Sequence, residues 1–172
     1  YEISHNLVQR ETLWLPDGRT QTGFVHRKGA TRAFPAGHPD LRGTRWADTG
    51  HPVLIPGSML DGAAILYPQD GARRSACSVN HGSGRVMGRG QAQRDLRHIH
   101  DEIDHEMRHV RRVFGPEQVV IEGVVGNTER TPLDECGHVY KDLDQVLGVL
   151  ETEGIATVAH RLYPVANLKG VN

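Results

Sequence analysis

The sequence predicts an α+β fold with mixed or antiparallel β-sheets, a long amphipathic helix over about residues 91–114 and a second helix over about 142–153. Two observations support this class. Short apolar runs of strand length occur at both ends of the chain, and helical apolar spacing is confined to the second half. With 172 residues, the chain is long enough for a single domain with a hydrophobic core. We therefore expect one domain over residues 1–172.

The first half contains the predicted strands. An Asp17-Gly18 turn signal separates two alternating apolar runs in "LWLPDGRTQTGFVHRKGATRA", which predicts a hairpin. The following "FPAGHPDLRGTRWADTGHP" is rich in Gly, Pro and Asp without periodicity, so we expect a long loop. Two more short apolar runs, in "VLIPGSMLDGAAILYP" and "SACSVNH", indicate further strands.

The second half contains the predicted helices. One apolar stripe with spacings of three and four is formed by Ala92, Leu96, Ile99, Ile103, Met107, Val110 and Phe114. Gly115-Pro116 is expected to end this helix, and "VVIEGVV" to follow as a strand. The second helix is expected to begin at Asp142, with Gln145 as its capping-box partner, and to end at Gly154. A strand and an extended tail are expected to close the chain.

Composition excludes several classes of protein. The net charge of −1 gives no bulk attraction to nucleic acid, although four arginines cluster between positions 85 and 97. Cys77 and Cys136 are far apart without CxxC spacing, which argues against a disulfide framework and fits a reducing cytosol. The sequence has no run of about 18 apolar residues. We therefore expect a soluble, cytoplasmic protein with no membrane partner. Because the chain begins at Tyr1, we also expect a fragment of a longer protein.

The predicted long helix contains the pattern HExxH, since His105 and His109 flank Glu106 at the right spacing. Histidines four residues apart can bind zinc from one helix face, so this pattern raises the alternative of a zinc metalloprotease. However, Met107 lies in the apolar stripe, and neighbouring arginines disfavour a metal. The favoured interpretation is a solvated face with the i, i+4 pairs Arg97/Asp101, Asp101/His105 and Asp104/Arg108.

The segment "CSVNHGSGRVMGRGQAQR" is the strongest candidate for chemistry. It fits neither the Walker loop nor GxGxxG, but Gly82, Ser83 and Gly84 could turn backbone N–H groups towards an anion. Arg85 and Arg89 add forked donors that suit phosphate. In such a site His81 could be a nucleophile that attacks phosphorus. A glycine turn with solvent-facing arginines is the plain alternative.

Six segments in order, "SHNLVQRE", "VHRKGATRA", "IPGSM", "NHGSGRVMGR", "ECGHVYKDLDQVL" and "AHRLYPVANLKG", resemble the C-terminal half of the RtcB-type RNA-splicing ligases. The resemblance covers almost the whole chain and implies an RtcB-like fold, with this chain as the C-terminal part of a single catalytic domain. It implies an enzyme that joins RNA 3′-phosphate or 2′,3′-cyclic phosphate ends to 5′-hydroxyl ends, using GTP and Mn²⁺. The implied partners are RNA (tRNA halves or broken RNA) and an archease-type activator.

The resemblance also implies roles for particular residues. His81 would be guanylylated by GTP, and His5 would be a manganese ligand. Arg85 and Arg89 would hold the RNA phosphate or the leaving groups. The implied nucleotide-binding residues are His5, Asn6, Pro56, Gly57, Ser58, Met59, Ala63, His81, Gly82, Ser83, Gly84, Tyr140 and Lys169.

The chain departs from the family pattern in three ways. The remaining metal ligands, an Asp, a Cys and two His, belong to an N-terminal half outside this chain, and neither Cys77 nor Cys136 replaces the metal cysteine. Ala63 stands where a serine would touch the nucleotide, and "ECGHVYKD" lacks the proline after its cysteine. The alternative is a non-catalytic nucleotide- or RNA-binding relative. Retention of His5, His81 and Lys169 argues against it, since a binding module needs no nucleophile.

Overall fold

A computed structural model describes residues 4–15, 17–123 and 130–167, which divide into two compact units. Unit 1 comprises Tyr1–Pro56, Ala64–Ser83 and Asp144–Arg161. Unit 2 comprises Gly57–Ala63, Gly84–Leu143 and Leu162–Asn172. Membership of one catalytic domain stays a prediction. Within the described ranges, none of the helices has both the length and the apolar composition needed to cross a bilayer.

The described elements confirm the predicted mixture of antiparallel sheets and a few helices. In chain order they are β1 Asn6–Trp14, β2 Thr20–Lys28, β3 Ala30–Arg32, β4 Val53–Pro56, β5 Ala63–Pro68, β6 Ser78–Asn80, α1 Arg89–Asp95, α2 His100–His109, β7 Arg111–Phe114, β8 Val119–Glu122, α3 Leu143–Thr152 and β9 Ala156–Leu162. β3 pairs antiparallel with β6, and the order β4-β5-β9 makes a three-stranded sheet.

The first hairpin forms where the sequence predicts it. β1 and β2 pair antiparallel from Asn6 opposite Lys28 to Trp14 opposite Thr20. Gly18 lies in the connecting turn with a φ of +83°, a conformation that glycine adopts without steric penalty. The Asp-Gly signal therefore located the turn correctly.

The prediction of one continuous helix over residues 91–114 is wrong. α1 ends at Asp95, and a 3-10 turn over Arg97–Ile99 precedes α2. The apolar stripe itself is real, because Ala92, Leu96, Ile103 and Met107 are buried in one cluster. The step from Leu96 to Ile99 is three residues, the period of a 3-10 turn, so apolar spacing alone does not distinguish the two conformations.

The last part of that predicted helix is a strand. β7 pairs antiparallel with β8, with Val113 opposite Val120 and Phe114 opposite Val119. A tight turn that begins at Gly115, with a φ of +67°, connects them. β-Branched side chains on both sides of a Gly-Pro turn favour a hairpin, and this cross-strand pairing outweighed the helical spacing of Val110 and Phe114.

The second predicted helix is confirmed within one or two residues. α3 spans Leu143–Thr152, and Leu143, Leu147 and Leu150 are buried. Gly154, with a φ of +60°, follows its end as the sequence indicated.

Unit 1 has a small apolar cluster and a buried ion pair. Phe34, Leu41 and Cys77 form the cluster, with Trp14 and Trp46 packed against it. Beside it, the Arg27 guanidinium donates two hydrogen bonds to the Glu11 carboxylate, at 2.6 and 2.8 Å. The two side chains are only 1% and 3% exposed, so this bidentate pair holds β1 and β2 together in the interior of the unit.

Unit 2 has its own core, with a partly buried carboxylate beside it. The core residues are Met59, Ala92, Leu96, Ile103, Met107, Leu133, Cys136 and Val139. Asp104 accepts hydrogen bonds from the Thr131 N–H and hydroxyl, at 2.6 and 2.7 Å, and from Arg108 Nε at 2.8 Å. Burial raises the pKa of Asp104, but the hydrogen bonds from Arg108 and Thr131 lower it by more, to about 2.

This carboxylate predicts an acid-dependent loss of stability. Because the folded-state pKa lies below the ordinary value, the stabilisation is complete above about pH 4 and disappears as the pH falls towards 2. We expect Asp104→Asn to lower the free energy of unfolding by about 2 kcal/mol at neutral pH. Urea unfolding from pH 7 to pH 2.5 would measure the difference between wild type and variant, which should shrink on acidification. Asp101→Asn, at an exposed position of the same helix, is the control, and an Asp104→Asn difference independent of pH would contradict this assignment.

Candidate functional site

Two histidines that are distant in the sequence lie side by side in unit 1. His5 immediately precedes β1, and His81 immediately follows β6. Their imidazole rings are stacked, with centroids 4.8 Å apart and planes inclined by 16°, and both side chains are exposed. The structure therefore brings together the two residues for which the sequence predicts a metal-binding and a nucleophilic role.

Gly29 connects the main chains of both histidines. Its N–H donates to the His5 carbonyl at 3.0 Å, and its carbonyl accepts from the His81 N–H at 3.3 Å. The residue has a φ of +72°, and an added Cβ would lie 3.6 Å from Cδ2 of His81. The glycine thus permits the turn that sets the two imidazoles next to each other.

The loop after His81 contains a buried hydroxyl without a partner. The Asn80 side chain donates to the Gly82 carbonyl at 2.6 Å, and the Ser83 N–H donates to the Pro56 carbonyl at 2.9 Å. Ser83 is 5% exposed, and its hydroxyl has no hydrogen-bond partner among the described residues. An unsatisfied buried hydroxyl is costly unless a ligand completes it, so this loop fits an oxyanion such as a phosphate.

Asn6 is the first residue of β1 and is exposed opposite Lys28. Unit 1 therefore groups six of the predicted site residues, namely His5, Asn6, Pro56, His81, Gly82 and Ser83.

Another group of predicted nucleotide-binding residues lies in unit 2, around the turn Gly57–Ala63, where side chains already make local contacts. The Ser58 hydroxyl donates to the Asp61 carboxylate at 2.9 Å and accepts from the Leu60 and Asp61 N–H groups. Met59 is 4% exposed and belongs to the unit 2 core. Gly57 and Ala63 flank this turn. The local structure gives Ser58 and Met59 roles in the turn and in packing, and their contact with a nucleotide stays a prediction.

The two predicted phosphate-binding arginines already have partners in unit 2. Arg85 donates to the Met87 and Asp134 carbonyls, at 3.1 and 2.7 Å, and to the Tyr140 hydroxyl at 3.2 Å. Arg89 is 73% exposed and lies 3.5 Å from the Glu135 carboxylate. Arg85 is thus held inside unit 2, whereas Arg89 fits the alternative of a solvent-facing arginine.

Glu135 also belongs to this cluster, although the sequence motifs do not identify it. Its carboxylate accepts from the Tyr140 hydroxyl at 2.9 Å. Burial and this carboxylate raise the pKa of Tyr140. Gly84, with a φ of +80°, accepts from the Lys141 N–H at 2.9 Å and so supports the Arg85–Tyr140 bridge. The acidic pair directly before "CGHVYKD" was the available signal. Lys169 lies outside the described residues.

Neither cysteine is suited to bind a metal as a thiolate. Burial raises the pKa of Cys77 to about 11 and also raises the pKa of Cys136, so both thiols are protonated at neutral pH. Among residues 4–15, 17–123 and 130–167, no three His, Cys, Asp or Glu side chains are arranged to hold a metal ion. His5 would therefore need ligands from outside this described set.

The HExxH pattern forms part of an exposed, salt-bridged helix face. The rings of His105 and His109 stack at 4.1 Å, and Nδ1 of His109 makes a 2.8 Å hydrogen bond with the His105 carbonyl. Arg108 pairs with Asp104 on the same helix, as the i, i+4 spacing predicted. These contacts favour the structural interpretation over a zinc protease.

Comparison with known proteins agrees with the motifs. A family model described as tRNA-splicing ligase RtcB matches residues 1–170. Similar curated proteins are the tRNA-splicing ligases RtcB of Thermococcus kodakarensis (36% identical, 99% of this chain, 33% of its own length) and Aeropyrum pernix (33%, 99% and 32%). The RNA-splicing ligase RtcB of Mycobacterium tuberculosis is 35% identical over 99% of this chain and 36% of its own length. The chain thus spans about a third of these relatives.

Proposed function

Because this chain belongs to the tRNA-splicing ligase RtcB family, we propose that it supplies the nucleotide-accepting histidine of an RNA ligase. The ligase would join RNA 3′-phosphate or 2′,3′-cyclic phosphate ends to 5′-hydroxyl ends, with GTP as the nucleotide substrate. The observation that carries this proposal is the stacked pair of His5 and His81 beside the buried, unpartnered hydroxyl of Ser83.

The proposed chemistry begins with His81. A ring nitrogen attacks the α-phosphorus of GTP, an N–P bond forms, the bond to the β-phosphate breaks, and pyrophosphate leaves. GMP then passes from the imidazole to the RNA 3′-phosphate, which restores the free histidine. The 5′-hydroxyl of the second RNA finally attacks this activated phosphate, and GMP leaves as the phosphodiester forms. A 2′,3′-cyclic phosphate would first be opened by water.

The residues beside His81 fit a phosphate and a divalent cation. The Ser83 hydroxyl would donate to a phosphate oxygen, and Asn6 would lie along the nucleotide. His5 would provide an imidazole ligand for Mn²⁺, with further ligands from other parts of the full-length protein. The cation would supply positive charge that offsets the charge developing on the phosphate oxygens.

The substrate and partners belong to the same proposal. The relatives are named as tRNA-splicing or RNA-splicing ligases, which supports RNA, including tRNA halves or broken RNA, as the substrate. An archease-type activator is the proposed protein partner. The cytoplasmic location stays a prediction.

The decisive experiment is covalent labelling of the full-length protein with α-³²P-GTP and Mn²⁺. We expect an acid-labile, alkali-stable adduct on the wild type and a loss of at least about 100-fold in His81→Ala, because no other group replaces the nucleophile. His109→Ala, at an exposed histidine of α2, is the matched control and should be labelled like the wild type. Undiminished labelling of His81→Ala would reject the assignment. GTP binding without any adduct on the wild type would favour the non-catalytic relative.

A further inference from the structure

One face of the β1–β2 hairpin is open to solvent. Side chains alternate between the two faces of a strand, and the buried Glu11 and Arg27 lie on the inner face. On the part of the other face nearest His5, the cross-strand pairs are Asn6–Lys28, Val8–His26 and Arg10–Phe24, whereas farther along Thr12 bonds to Asp40 and Trp14 packs on the apolar cluster. These six exposed residues, Asn6, Val8, Arg10, Phe24, His26 and Lys28, are called the open ribbon face.

The open ribbon face combines exposed apolar side chains with basic ones. Phe24 is 77% exposed and Val8 is 59% exposed, side by side on neighbouring pairs of the ladder. Arg10 lies directly opposite Phe24, and Lys28 lies opposite Asn6. The face thus places an aromatic ring and an aliphatic side chain beside two basic side chains, and its six residues contain no acidic group.

We propose that the open ribbon face holds the single-stranded end of the RNA as that end reaches His81. Phe24 stacks on a base, while Arg10 and Lys28 neutralise backbone phosphates, the combination by which proteins bind single strands without reading sequence. This inference rests on the proposed ligase function, since that function supplies a single-stranded RNA end beside His81.

The position of the face supports this occupant. Arg10 and Asn6 lie four residues apart on β1. This separation corresponds to roughly 13 Å along the strand, which is long enough for a few nucleotides. His5, whose ring stacks on His81, directly precedes Asn6. A strand of RNA lying along the ribbon therefore runs towards the two imidazoles of the same unit.

The charges disfavour the other occupants. In a symmetric contact with a second copy, the Arg10 and Lys28 side chains of both copies would crowd like charges into one interface. Burial of these two cations against apolar protein surface would leave them unpaired, which is costly. A single-stranded RNA can pair its phosphates with the two cations and stack a base on the aromatic ring at the same time.

The test measures binding of a fluorescein-labelled 12-nucleotide RNA with a 3′-phosphate to the full-length protein by anisotropy. We expect Phe24→Ala to weaken binding about 10-fold and Phe24→Trp to retain it, because stacking needs only an aromatic plane. Arg10→Gln and Lys28→Gln should each lower the slope of log Kd against log salt by about 0.7. Val149→Ala, at a 60% exposed apolar position on α3, should leave binding unchanged.

GTP labelling separates this inference from the function on which it rests. Labelling of His81 should be normal in Phe24→Ala, because the first chemical step needs no RNA. Unchanged RNA binding in Phe24→Ala would overturn the inference. A fall in labelling and melting temperature would show instead that the face packs against protein, and loss of a dimer in light scattering would show a second copy there. Normal RNA effects without labelling of the wild type would reject the proposed function and keep the RNA-binding surface.

Discussion

Glu11→Ala is expected to lower the free energy of unfolding by about 3–5 kcal/mol, a large part of the stability of a domain. The substitution leaves the Arg27 guanidinium buried without its carboxylate. Its remaining partners are the Ser78 hydroxyl at 2.9 Å and the Ala76 and Cys77 carbonyls at 3.1 and 3.3 Å. These neutral acceptors do not offset the charge, so the loss exceeds that of a truncated surface side chain.

Urea unfolding of the full-length protein, followed by tryptophan fluorescence, would measure this effect. Glu153→Ala is the control, because it breaks an exposed ion pair with Arg74 and should change the free energy by no more than about 1 kcal/mol. Glu11→Leu combined with Arg27→Met should recover much of the loss, since an apolar pair removes both buried charges. A Glu11→Ala loss no larger than the control would show that the pair is hydrated.

Gly62→Ala is the second substitution with a large expected effect, about 2–5 kcal/mol of destabilisation. Gly62 has a φ of +82°, and an added Cβ would lie 2.0 Å from the Leu162 carbonyl oxygen. The same residue closes the turn after β4, because its N–H donates to Ser58 at 3.1 Å and its carbonyl accepts from Gly57 at 2.7 Å. The added methyl group can be accommodated only if the backbone at Gly62 or Leu162 moves.

Gly148→Ala is the matched control for this experiment. Gly148 lies within α3, and an added Cβ there would meet nothing within 4 Å. Alanine should therefore stabilise the helix by about 0.5–1 kcal/mol. Thermal unfolding of the two variants should shift the melting temperature in opposite directions. Equal shifts would contradict the close approach at Gly62.

The sequence predicted elements that local chemistry determines. The Asp17-Gly18 turn placed the first hairpin, and the leucine stripe with Gly154 placed α3. The prediction failed where one apolar spacing fits both an α-helix and a 3-10 turn, as at Leu96 and Ile99. It also failed at Val110, where pairing with a later strand decided the structure.

The candidate site was predictable to a different extent. No rule of spacing brings His5 next to His81; only the family resemblance assigned both to one site. The structure stacks their rings, while their roles stay predictions. The Arg85–Tyr140–Glu135 cluster depends on a bridge between distant segments, so the acidic pair before "CGHVYKD" signals a partner without locating Arg85 as that partner. The unpartnered Ser83 hydroxyl was equally invisible, because hydrogen-bond satisfaction is a property of the folded chain.

The two backbone hydrogen bonds of Gly29 limit where related sequences can accommodate an inserted residue. Insertions near Asp17 and Gly18 would lengthen only the distal tip of the β1–β2 hairpin, so we expect them to be tolerated there. A single residue inserted beside Gly29 would shift the His5 ring relative to His81 and separate the two imidazoles. We therefore expect related proteins to differ in hairpin length at the turn near Gly18 and to keep a constant length near Gly29.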